Sequence, residues 1–80
     1  MSHPCVRILS ACEVGSKARV RSLDLAPESR QRLMEMGLTI GAQIEVVRFA
    51  PLGDPMEIKV RGYFLSLRRS EAGSIQVEPQ

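Results

Sequence analysis

An 80-residue chain makes one domain, and a domain this small hides only about 60% of its unfolded surface, which leaves little room for a buried catalytic pocket. Its 44% hydrophobic and 25% charged residues are those of a globular chain and exclude a disordered or fibrous one. The net charge of +2 comes from 11 basic and 9 acidic residues scattered among one another, so the long-range field is weak and nucleic acid is permitted without being indicated.

No apolar run approaches the roughly 20 residues of a membrane span, and the N-terminus lacks the apolar stretch of a secretory signal. A cytoplasmic chain without direct membrane insertion is therefore expected. Cys5 and Cys12 would close only a short loop, and nothing else points to export, so free thiols are expected.

Taken in order, the chain opens on a stretch without periodicity: residues 1–7 are expected to be a flexible tail and 8–78 a single domain. Ile8, Leu9, Ala11 and Cys12 suffice for one turn or a short strand, which Gly15 ends. From Lys17 to Leu23 the residues alternate, with Ala18 and Val20 on one face and Lys17, Arg19 and Arg21 on the other, the period of a half-buried strand. Pro27 suits a first helical turn and Glu28 complements the helix dipole, so a short helix is predicted from Pro27 to Met36, with Leu33 and Met36 inward and Arg30 and Arg32 outward. Gly37 then reads as the C′ residue, which puts Leu38 in reach of Leu33. Gly41 makes a second sharp turn into the next strand.

That strand, Gln43 to Phe49, starts with Ile44 and Val46 inward, but Val47 and Phe49 continue the apolar series on the opposite parity. Such a switch implies a β-bulge or a strong bend, or else a strand covered on both faces. Pro51-Leu52-Gly53-Asp54-Pro55 is turn chemistry, and Met56 to Arg61 alternates cleanly with Met56, Ile58 and Val60 inward. Gly62 reverses the chain into a hairpin partner from Tyr63 to Leu67. Ser70 and Gly73 bracket one helical turn as cap and stop, and Ile75-Gln76-Val77 forms a last strand. About five short strands and one short helix predict a mainly β fold, a small and strongly bent barrel.

The order Arg32-Leu33, Met36-Gly37-Leu38, Gly41, Ile44-Glu45-Val46, Gly53-Asp54-Pro55, Gly62, Leu67-Arg68-Arg69, Glu71-Ala72 and Ile75-Gln76-Val77 resembles the FeoA family. The resemblance runs from Ile8 to Val77 and implies an SH3-like barrel. It further implies a cytoplasmic, non-catalytic protein that works with FeoB, a membrane permease with a GTP-binding domain, in bacterial Fe(II) import. A similar domain ends the DtxR-type metal-dependent repressors, whose DNA-binding helices have no counterpart here. The family often has proline where this chain has Ile40, a difference worth at most about 1 kcal/mol through the unfolded chain.

Binding surfaces are sought among residues the core does not need. Val47, Arg48, Phe49, Pro51 and Leu52 form one candidate patch for a partner, against the plainer reading that Phe49 caps the barrel. Arg30 and Leu33 on the helix form a second, against that of a solvated face. Gly37, Gly41, Gly53, Asp54, Pro55 and Gly62 are assigned to turns. His3 and Cys5 are the metal candidates, but structural zinc wants four ligands at closer paired spacing, so a tail histidine and packed thiols stand beside that reading. Met34, Met36 and Met56 fit core filling better than ligation. No cofactor is expected beyond an adventitious divalent metal, and no nucleophile with a base or Gly-rich phosphate loop supports catalysis.

The alternative function is a small-barrel nucleic-acid binder using Lys17, Arg19, Arg21, Arg48, Lys59, Arg61, Arg68 and Arg69. Glu45, Glu57 and Glu71 interrupt that basic series and few aromatics are available for stacking, so nucleic acid is not expected as partner. Edge strands of a partly open barrel allow a homodimer.

Overall fold

Helix α1 (Pro27–Glu35) starts with proline, whose missing N–H is no loss there, and carries Glu28 in its first turn. A computed structural model describes residues 6–80 and shows how that helix ends. Met36 is the C-cap, and Gly37 at φ +98° turns the chain back. The Gly37 amide donates to the Met34 carbonyl at 3.0 Å and the Leu38 amide to the Leu33 carbonyl at 3.0 Å, the bond pair of a Schellman ending. Leu33 and Leu38 are both fully buried in one cluster, so the turn that stops the helix also seats it on the core.

Six strands form one antiparallel sheet: β1 (Arg7–Ile8), β2 (Lys17–Leu23), β3 (Gln43–Phe49), β4 (Met56–Val60), β5 (Tyr63–Leu67) and β6 (Ile75–Pro79), in the order β1-β6-β2-β3-β4-β5. The fold is mainly β as the sequence predicts, with one strand more than expected. Arg7 and Ile8 pair with Val77 and Gln76, and two residues are too few to show alternation. The ladder is open, with β1 and β5 at its ends. A short 3₁₀ turn, Leu9–Ala11, follows β1, and a one-turn helix, α2 (Arg69–Ala72), precedes β6.

Two register shifts bend the sheet. One falls between Val46 and Arg48 in the β3–β4 ladder and leaves Val47 as the extra residue, as the parity switch predicts. The other falls between Val20 and Ser22 in the β2–β6 ladder, where Arg21 fits the alternation and gives no warning. Inward residues from every long strand close on an apolar interior: Val20, Val46, Met56, Ile58, Leu67, Ile75 and Val77 are essentially inaccessible, and no described polar or charged residue is buried.

Three local expectations are corrected. Met36 is 39% exposed instead of inward, because the chain leaves the helix there and Leu38 takes the core position. Ser70 is not the cap of α2; Arg68 is, its amide donating to Glu71 Oε1 at 3.0 Å, while the Arg69 amide donates to Asp54 Oδ1 at 3.0 Å. The β4–β5 hairpin turns on Arg61 and Gly62 together, at φ +52° and +87°, the two left-handed positions of a type I′ turn.

A Cβ on Gly37 would strike the Tyr63 hydroxyl, whereas one on Gly41, also at positive φ, meets nothing within 4 Å. Gly41→Ala should therefore cost only the left-handed backbone term, about 1–2 kcal/mol, and Gly37→Ala more. At about 4–8 °C per kcal/mol for a domain this size, thermal unfolding separates the two; equal melting temperatures would show that Tyr63 moves aside freely. Burial pushes the Cys12 thiol above its ordinary value of 9.0, with Arg7 opposing more weakly. The stability held by the neutral thiol is complete below that ordinary value and is lost as the pH rises past it. Alkylation of Cys12 at pH 8 should be slower in the native protein than in urea, and equal rates would contradict the burial.

Candidate docking surface at the bulged end of the sheet

Past the bulge, β3 turns its side chains toward one end of the sheet. Val47 is half-buried, and Arg48 is exposed with Nε 3.5 Å from Glu57 Oε1 on the neighbouring strand. Solvent screens that pair, so it orients Arg48 more than it stabilises the fold. Phe49 is half-buried and packs against the core. The loop that follows is tied at its base: the Ala50 amide donates to the Pro55 carbonyl at 2.9 Å and the Gly53 amide to the Ala50 carbonyl at 2.7 Å. Gly53 at φ +82° closes the turn, and Asp54 fastens it to α2 through the Arg69 amide. Pro51 is exposed, and Leu52 at the tip is 93% exposed, the most exposed large apolar side chain described.

The structure thus brings Val47, Arg48, Pro51 and Leu52 to one end of the molecule. It separates Leu33 from that role: Leu33 is fully buried on the core stripe of α1, so it cannot dock a partner. Arg30 is exposed and flanks a shallow groove of about 540 Å³ with Pro27, Gln31 and Met34. Gly37, Gly41, Gly53 and Gly62 all take positive φ at turns, and Pro55 supplies its carbonyl to the loop base. Of the methionines, Met56 is core, but Met34 is 37% exposed and does not fill it. His3 and Cys5 lie outside the described residues. Among the described residues, no three His, Cys, Asp or Glu side chains gather as a metal site.

Sequence reasoning missed the work of Arg61. From the hairpin turn its Nε donates to the Gly37 carbonyl at 3.1 Å and its Nη2 to Thr39 Oγ1 at 3.1 Å, tying β4–β5 to the end of α1. No local pattern signals a bond spanning more than twenty residues. It also missed that Glu71 is taken by Arg32, which links α2 to α1.

The FeoA domain model matches residues 8–79. A Fe(2+) transport protein A/Fe(2+) transporter FeoB fusion protein of Porphyromonas gingivalis is 39% identical over 70 residues, covering 88% of this chain and 8% of that protein. The chain thus spans a small fraction of that relative's length. The solution structure of an FeoA protein from Chlorobium tepidum superimposes with a TM-score of 0.89 at 45% identity, covering 91% of this chain and 70% of that one. FeoA of Stenotrophomonas maltophilia, crystallised with zinc and described as an SH3 domain protein, gives 0.73 at 31% identity over 88% of this chain and 87% of that one. With the family model matching residues 8–79 and the FeoA structures superimposing over most of its length, the chain belongs to the FeoA domain family, of SH3-like fold.

Proposed function

We propose that the chain is a cytoplasmic, non-catalytic accessory protein of bacterial Fe(II) uptake that binds the FeoB permease and modulates it. The observation that carries this reading is the Porphyromonas gingivalis relative, in which a segment similar to this chain shares one polypeptide with a Fe(2+) transporter. Covalent joining raises the effective concentration of two modules that work in contact. Two structural facts agree with docking from outside the bilayer: no helix among the described residues is long and apolar enough to cross a membrane, and Leu52 stands out from a loop braced on both sides.

The contact is assigned to Val47, Arg48, Pro51 and Leu52, with the rigid sheet holding them in place. Modulation requires that this surface bind one conformation of the permease more tightly than another, since equal affinity shifts nothing.

Pull-down and titration against the permease's soluble GTP-binding domain and against the full-length permease test the reading. Leu52→Asp combined with Arg48→Ala should weaken binding at least tenfold, about 1.4 kcal/mol, while leaving the melting temperature nearly unchanged because both side chains are exposed. No interaction with either form of the permease, alongside salt-sensitive binding to RNA, would overturn the proposal in favour of a nucleic-acid role.

A further inference from the structure

Four of the chain's cations converge on one concave surface. Lys17 and Arg19 from β2, Lys59 from β4 and Arg61 from the hairpin turn line a shallow groove of about 660 Å³ over the outer face of β2, β3 and β4, with Glu45 in its floor. Register explains the gathering. Lys17 lies opposite Glu45, and Glu45 opposite Lys59, so three strands place these side chains in one row. Arg19, two residues along, lies on the same face in the next row, opposite Gln43.

Four cations and one carboxylate give the groove a net +3, against +2 for the whole chain, so the positive charge is concentrated here. Glu57 and Glu71, which interrupt the basic residues in sequence, are engaged elsewhere by Arg48 and Arg32. Among the described residues, none of the four groove cations has a carboxylate within 4.0 Å, although all four are exposed.

We infer that this groove binds an acidic peptide segment of the partner, in extended form, along β3. The inference specifies the chemistry of the permease contact proposed above and rests on that reading for the partner's identity. Lys17 and Lys59 stand two strand spacings apart, roughly 10 Å, the width of one peptide chain with its side chains. A phosphodiester backbone offers acceptors and unbroken negative charge to Glu45, which repels it, whereas a peptide presents amide donors to that carboxylate and spaces its own acids to meet the flanking lysines. The groove's lining on β3 ends at Glu45, two residues before Val47, so a partner segment continuing along that strand would reach the second surface.

Fluorescence anisotropy with a labelled peptide of alternating Glu and Gly, twelve residues long, tests this on the full chain at low and physiological salt. Phosphatidylglycerol vesicles and a single-stranded oligonucleotide serve as the competing arms. The peptide should bind, weakening as salt rises. Lys17→Gln/Lys59→Gln should lose at least tenfold, while Arg68→Glu, with the same change in net charge away from the groove, should lose less than twofold. Equal losses in the two variants, no peptide binding at low salt, or preference for vesicles or oligonucleotide would each overturn the inference. Permease binding that is untouched by Lys17→Gln/Lys59→Gln would remove the groove and leave the accessory role standing. Peptide binding in the groove without permease binding would do the reverse.

Discussion

The end of α1 is the constraint on which the rest depends. A nine-residue helix is too short to be stable alone, so it exists because its last turn is fixed to something else. The Schellman bonds turn the chain through Gly37, Leu38 drops into the core beside Leu33, and Arg61 reaches from the opposite hairpin to the Gly37 carbonyl. A cation at the C-terminal end of a helix also meets the negative end of its dipole. Gly41 then passes its amide to the Val20 carbonyl at 2.8 Å, so the chain is set against β2 six residues past the last helical residue, Glu35. Helix, hairpin and central strands are therefore one mechanical unit.

Curvature follows from where the ladder breaks register. The extra residue at Val47 breaks the alternation of β3, so that Phe49 packs against the core before the loop from Ala50 to Pro55 begins. Two anchors keep that loop from being a floppy connection: its own backbone bonds and the Asp54 carboxylate on the first turn of α2. An exposed leucine on a braced loop loses little conformational freedom on binding, which is the arrangement a docking surface needs.

All the described residues of the interior are apolar, and burial shifts Cys12 toward its neutral, unreactive form. What distinguishes the molecule lies on its outer faces: an apolar loop tip at one end of β3 and a cationic groove along it. One sits on a loop braced by backbone bonds and Asp54 and the other on paired strands, so the proposed partner meets a surface already formed.

Local rules in the sequence determined the strands, the helix and its stop. Alternation from Lys17 to Leu23 and from Met56 onward, the parity switch at Val47, and glycines at 37, 41, 53 and 62 each act within a few residues, where sterics and periodicity decide. The inward side of Leu33, the packing of Phe49 and the exposure of Arg48, Pro51 and Leu52 were legible for the same reason, but the exposure of Met34 and Met36 was not, since the edge of a helix stripe faces inward or outward only once its neighbours are placed. The two-residue β1, the Arg61 bridge and the bond from the Arg69 amide of α2 to Asp54 join distant segments and leave no local trace. Charge was decided latest of all: read along the chain, acids and bases intermix, whereas Glu57 pairs with Arg48 across β3 and β4, Glu71 is taken by Arg32 between the two helices, and the register of three strands gathers Lys17, Arg19, Lys59 and Arg61 on one groove, because a sheet makes neighbours of residues that sequence keeps forty positions apart.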